Sequence, residues 1–261
     1  MIDTHTHLYM RDDYPDGGSA AVERAIAAGV SHMVFPGVDV KSVRPMLDLH
    51  ALFPENTSVA IGLHPTEVTP DWRDDLREIR YRFGDVPYVA WGEIGVDLHW
   101  ENTPEIRTRQ MDVFGHQLDE AFSEGLPVII HSRDAIDETL EVIGMMGERT
   151  PGLLFHSFTS NPDDARRILE AHPDAMFGFN GVATFKNAPD VRAAAKFVGP
   201  EHILLETDAP WLAPVPHRGS TNESSFIPHI LARLAEELDI PADQLERVTD
   251  ASARRFFNLT A

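Results

Sequence analysis

The chain has no cysteine in 261 residues. That excludes disulfides, thiolate nucleophiles and thiolate metal sites, and leaves nitrogen and oxygen donors for any bound cation. Lysine is nearly absent as well: only Lys41, Lys186 and Lys196 occur, in a chain with 22 basic against 42 acidic residues and a formal net charge of −20. A broad basic face for nucleic acid is therefore missing, and any phosphate must be recognised locally. Long apolar runs are missing too. None approaches the roughly 20 residues of a membrane span, and no basic segment followed by an apolar stretch opens the chain, so a cytoplasmic protein without membrane contact is expected. No low-complexity linker divides the sequence, which predicts one domain over residues 1–261, and no obligate protein partner is evident.

The acidic excess resembles that of a halophile's protein, because a dense carboxylate surface stays hydrated and is screened over about 3 Å in molar salt. An ordinary acidic cytosolic protein is the alternative.

What the chain does contain is a repeated alternation. Eight runs of strand length, "MIDTHTHL", "HMVFPGV", "TSVAIGLHP", "YVAWGEIGVD", "PVIIHSRD", "GLLFHSF", "AMFGFNGV" and "ILLETDAPWL", are separated by segments with helical spacing. Several runs are continuously apolar, as parallel strands covered on both faces should be. Between them, Val43, Met46, Leu47 and Ala51, then Phe114, Leu118, Ala121 and Phe122, then Ile227, Ile230, Leu231 and Leu234 fall on single helical stripes. Ser42 or Asp39 is a candidate cap for the second helix, Asn161-Pro162 opens another, Gly29 and Gly125 follow helices, and Pro241 suits a first turn. Eight strand-helix units in a chain of this size predict an α/β TIM (β/α)8 barrel, with its site at the C-terminal strand ends. An open doubly wound sheet is the rival, but no Gly-rich dinucleotide fingerprint follows the first run.

Polar residues interrupt these runs at the expected place. His5 and His7 share one face if the first run is extended, and His64, Glu93, Asp97, His131, His156 and Asp208 stand near other strand ends. Imidazole and carboxylate groups beside Ile, Leu and Val cost several kcal/mol each unless bonded or metal-bound. A shared divalent cation satisfies all of them. By contrast His32, His50, His116, His172, His202 and His229 fall in helices or at strand starts and read as structural or surface residues. His99 and His217 follow strands on loops that could overhang the site.

In order, "MIDTHTHL", "GLHP", "GEIGVD", "LPVIIHSRDA", "FHSFTS", "NGVATFKN" and "LLETDAPWLAPVPHRG" resemble the TatD-related metal-dependent deoxyribonucleases, and the resemblance extends to the terminal "RRFFNL". It implies an amidohydrolase-like TIM-barrel hydrolase that binds two divalent metal ions, Mg, Mn or Zn, and cuts DNA phosphodiesters, with single-stranded DNA as the expected partner. It gives His5, His7 and Asp208 to one metal and His131 and His156 to the second, with Glu93 bridging. It places His64 beside the substrate phosphate, Arg133 as an orienting group and Asp208 as general base. Ser157 stands where relatives often have cysteine and Ser224 where they often have proline; neither is a ligand position. It places the loop with Arg218 and Asn222, after the eighth strand, on the substrate face. Hydrolysis of a small amide, lactone or ester, or of mischarged aminoacyl-tRNA, uses the same ligands and is the alternative; a metal-binding protein without turnover is a third reading.

Overall fold

The computed structural model describes residues 1–147 and 151–259, so residues 148–150 and 260–261 of the expected 1–261 domain lie outside the described residues. Eight strands alternate with helices. They are β1 (Ile2–Asp3), α1 (Gly18–Ala27), β2 (His32–Phe35), α2 (Val43–Leu52), β3 (Thr57–Ile61), α3 (Trp72–Phe83), β4 (Ala90–Asp97) and α4 (Pro104–Glu124). Then follow β5 (Val128–Arg133), α5 (Ile136–Met145), β6 (Leu153–Phe155), α6 (Pro162–Ala171), β7 (Met176–Phe179), α7 (Pro189–Val198), β8 (Ile203–Leu205), α8 (Ile227–Leu238) and α9 (Ala242–Phe257).

All eight strands are parallel neighbours in sequence order, β1 to β8. Closure comes from the first and last: the Thr4 amide and hydroxyl both donate to the Leu205 carbonyl at 3.0 Å. The sheet is thus a barrel wrapped by helices, as the alternation predicted.

Local sequence explains where the helices begin and end. Asn161 accepts from the Asp163 and Asp164 amides ahead of α6, Thr103 accepts from Ile106 ahead of α4, and both helices carry proline in the first turn. Gly125 closes α4 in the left-handed conformation. Asp39 accepts from the Ser42 amide, whereas the Ser42 hydroxyl accepts from Val38 and Asp39 and leaves the helix amides alone. The stripe on α8 is buried as expected, but α2 buries Val43, Met46 and Leu49, with Leu47 only half-buried and Ala51 exposed. On α4, Phe122 is half-buried beside the buried Phe114, Leu118 and Ala121.

The lower half of the barrel is filled by one apolar side chain from each strand: Ile2, Val34, Ala60, Ala90, Ile129, Leu154, Met176 and Leu204. Ala253 and Phe257 of α9 join this cluster and plug that end. The larger apolar layer lies between the strands and the surrounding helices. Polar groups are left to the other end.

Candidate metal centre

At the C-terminal strand ends the backbone departs from regular strand geometry, and each departure aims a side chain inward. β1 stops at Asp3 and bends at Thr4 and His5, so His5 and His7 do not share a face by strand alternation as expected. Their rings converge all the same, with the two Nε2 atoms 3.1 Å apart. The His7 amide donates to Ala209 and the Asp208 amide to His5, which ties the end of β1 to the segment after β8. Asp208 itself sits at φ 55°, a left-handed conformation uncommon for a residue with a side chain. In β4 the pairing register with β5 shifts between Trp91 and Ile94, and Glu93 lies inside that irregularity. Bulges of this kind re-aim side chains beside active sites. Gly95, at φ 150°, permits the close approach of β5: a Cβ there would stand 1.9 Å from the His131 carbonyl oxygen.

Glu93 is the centre of the cluster. Its Oε2 faces His5 Nε2 at 3.1 Å and His7 Nε2 at 3.6 Å, while its Oε1 faces His131 Nδ1 at 2.6 Å, His156 Nε2 at 3.1 Å and His64 Nε2 at 3.2 Å. Asp208 Oδ1 lies 3.7 and 3.8 Å from the Nε2 atoms of His5 and His7. Among the described residues, three sets of donor atoms are close enough to hold an ion: His5, His7 and Asp208; His5, Glu93 and His156; His64, Glu93 and His131. The structure therefore gathers six expected ligands, and it brings His64 nearer the second set than a purely peripheral place would. Arg133, at the end of β5, stands on the rim of the same cleft.

Side-chain exposure separates the walls from the mouth. His5, His7, Glu93 and His156 keep 4% or less of their side-chain surface, whereas Asp208 and His64 keep 14% and His131 keeps 15%. Solvent and substrate meet the latter three first.

A second layer fixes the rings. The Tyr9 hydroxyl donates to the Pro36 carbonyl, so His7 Nδ1 must donate to Tyr9, at 2.7 Å, and its Nε2 lone pair is free for a cation. Asp97 Oδ2 lies 2.8 Å from His131 Nε2. Glu206, fully buried, accepts from the Ser157 amide at 2.6 Å and sits 3.2 Å from His156 Nδ1, off the line needed for a hydrogen bond. Gly178 makes room for it, since a Cβ there would meet Glu206 Oε2 at 2.1 Å. His64 is held differently. Its Nδ1 accepts from the Thr66 amide at 3.2 Å, as the cap of a short 3₁₀ turn over Pro65–Glu67, so in the neutral ring the proton is on Nε2 and points into the cleft.

The ionisable groups of the cluster shift one another. Burial pushes the Asp208 carboxyl up to about 8, with Glu93 and Glu206 adding to the push and His156 opposing it. Burial also acts upward on Glu93, but the imidazoles of His156, His64 and His5 and the His131 hydrogen bond outweigh it and hold that carboxyl well below its ordinary value. Burial pulls His5 well down, and at His156 the carboxylates of Glu93 and Glu206 overcome it and raise the ring well above its ordinary range. Four carboxyl groups, of Glu93, Asp97, Glu206 and Asp208, and five imidazoles thus hold unequal charge in one small volume. The unpartnered Nδ1 atoms of His5 and His156 and Oε2 of Glu206 add to that imbalance. A nitrogen and oxygen donor set of this kind fits a divalent cation.

Several polar residues near the site have other work. His99 pairs with Asp134 at 2.8 Å on an exposed loop, and His217 stacks on Phe226 and faces His229; neither lines the cleft. Asn222 is buried and donates to the Thr207 and Trp211 carbonyls, and Arg218 lies over the Phe185 ring. Ser157 receives the Asn180 amide group and Ser224 donates to Thr6. Glu206 and Tyr9 carried no role in the sequence reading. Glu206 stands two residues before Asp208 in a strand-end run, and that period-two spacing was the signal available.

The whole chain has relatives. Residues 2–258 match the TatD related DNase family. An uncharacterised metal-dependent hydrolase of Bacillus subtilis is 30% identical over 259 residues, covering 99% of both chains. A protein of Cronobacter sakazakii named as a 3'-5' ssDNA/RNA exonuclease is 32% identical over 244 residues, 90% of each chain. Among solved structures, a TatD homologue from Escherichia coli superposes with a TM-score of 0.86 at 27% identity, covering 100% of this chain and 98% of the other. With the barrel, the ordered motifs and the donor cluster in agreement, the chain belongs to the TatD-related DNase family of metal-dependent hydrolases.

Proposed function

We propose that the cleft hydrolyses DNA phosphodiester bonds as an exonuclease, with two divalent cations, His5, His7 and Asp208 holding one, His131 and His156 the other, and Glu93 between them. The observation that carries this reading is the Glu93 carboxylate, whose two oxygens face two different imidazole groups. Only a carboxylate offers two such atoms, since an imidazole turns one nitrogen inward and uses the other for a neighbour. The Cronobacter relative's name supports the same substrate class.

Bound cations would neutralise the phosphate's developing charge and lower the pKa of the attacking water. The chain's own groups do the rest. Asp208, at the mouth, takes the proton of the attacking water on a carboxylate oxygen. His64 donates from Nε2 to a non-bridging phosphate oxygen; its Thr66-bound Nδ1 fixes that direction. Arg133 orients the strand from the rim. Tyr9, Asp97 and Glu206 hold the rings still, so little reorganisation is left for the reaction itself.

The test is incubation of end-labelled single-stranded DNA with the protein and Mg²⁺ or Mn²⁺, with a chelator control. Stepwise shortening lost in chelator is expected. Intact DNA with metal bound overturns the reading in favour of an amide, ester or aminoacyl-tRNA substrate. His64→Ala should raise KM for DNA far more than it alters metal content.

A further inference from the structure

Two indoles stand exposed at the mouth of the cleft, and the mechanism uses neither. Trp100 is 71% exposed just after β4, and Trp211 is 48% exposed in the segment after β8. In a barrel whose strands run in order from β1 to β8, β4 and β8 are half a turn apart. The two residues therefore stand on opposite sides of the opening, each next to the strand that delivers Glu93 or Asp208. Both line the same cleft, whose volume is about 620 Å³.

Neither ring is loose packing. The Trp211 amide donates to Asp208 at 3.0 Å, its carbonyl accepts from Asn222 at 2.6 Å, and its ring meets His7 edge-on at 5.4 Å between centroids. Trp100 is covered on one side by the Arg133 guanidinium, 5.3 Å from the ring centroid. The surrounding charge narrows what such a mouth can grip. Arg133 is the one lysine or arginine lining the cleft among the described residues, in a chain of net charge −20. Attraction of phosphates to protein cations can supply little of the affinity for a polyanion. Base stacking on aromatic rings supplies affinity without positive charge, tolerates any sequence and needs unstacked bases.

Resting on the phosphodiesterase reading, we infer that Trp211 and Trp100 are stacking platforms for the bases flanking the scissile phosphate, and that they select single strands over duplex. Trp211, beside His7 and Asp208, takes the base nearer the reacting phosphate. Trp100, with Arg133 on its rim, takes the next base across the cleft.

The experiment compares a short oligothymidylate with a strand of the same length lacking bases. Affinity is read from the fluorescence anisotropy of end-labelled phosphorothioate-linked strands, and cleavage from ordinary ones in Mn²⁺. The wild type should prefer the base-bearing strand by about tenfold or more. Trp211→Ala should remove most of that preference and Trp100→Ala a smaller part, while Trp211→Phe and Trp100→Phe should keep it. Equal affinity of the wild type for both strands, or alanine variants that keep the full preference, overturns the inference. The two readings separate: a base preference without cleavage of either strand overturns the phosphodiesterase and leaves the stacking surface. Cleavage of both strands at equal efficiency does the reverse.

Discussion

The two ends of this barrel are built from the same eight strands and have opposite chemistry. At the lower end each strand gives one apolar side chain to a buried cluster sealed by Phe257. At the upper end five of those strands, β1, β4, β5, β6 and β8, or the residues just beyond them, give His5, His7, Glu93, His131, His156, Glu206 and Asp208. The lower end gains free energy from burial, roughly 1.5–3 kcal/mol for each large side chain. The upper end spends part of that gain to keep ionisable groups out of water. The scaffold's stability and the site's chemistry therefore come from different layers, and a substitution should affect one without the other.

The sharpest way to break the contrast is Glu93→Gln. The amide keeps the shape but offers one oxygen where two face the imidazoles, so turnover should fall by about 10²–10³-fold or more, with metal content per chain falling too. Secondary structure by circular dichroism should be unchanged. A variant with normal turnover removes Glu93 from the mechanism.

Phe257→Ala attacks the other end. Loss of a large, fully buried ring should cost about 3–5 kcal/mol of stability in denaturant unfolding. Activity per folded molecule should stay near that of the parent. If activity falls in proportion to stability below the unfolding transition, the two layers are coupled and the contrast fails.

These two predictions draw on parts of the molecule that were unequally legible in the sequence. All eight strands were readable, because continuous apolar runs are what a doubly covered parallel strand requires, and residues such as Glu93 and His131 stood out as interruptions in them. His5 and His7 converge by a bend of the chain at Thr4 and His5, where an extended strand was expected. Burial on α2 shifted to Leu49 because the helix packs by its neighbours and not by ideal spacing alone. Second-layer groups were the least legible. Asp97 was visible only as a polar strand end, Tyr9 reads as an ordinary aromatic, and the orientation of His64 depends on a backbone amide that no residue letter encodes.

Glu206 measures how much the hidden layer matters. Glu206→Gln keeps the volume but removes the charge beside His156, and losses of about 10–100-fold in metal affinity or activity are expected. Gly178→Ala should give a loss of the same order by a different route, because its Cβ competes for the place of Glu206 Oε2. Metal titration of both variants checks this. Parental affinity in Gly178→Ala would mean that the carboxylate can move without consequence.

The smallest effect compares one residue type at the two ends. His156 at the upper end is held well above its ordinary value by Glu93 and Glu206 against the pull of burial, whereas His32, at the lower start of β2 with Ser58 as its partner, is pulled down to about 4 by burial, with Arg254 adding to the effect. A base whose folded pKa lies below its unfolded one, about 6.5, takes up its proton preferentially when unfolded. Its contribution is therefore complete above about pH 6.5 and is lost as pH falls toward 4. Because the ring is partly exposed, about 1 kcal/mol at pH 5 is a realistic size, or about 2–4 °C in Tm. His32→Gln, which can keep the Ser58 hydrogen bond without the titration, should lose less Tm than the parent between pH 7 and pH 5 by that amount. An identical decline in both proteins would mean that His32 titrates normally and that burial at the lower end does not reach it.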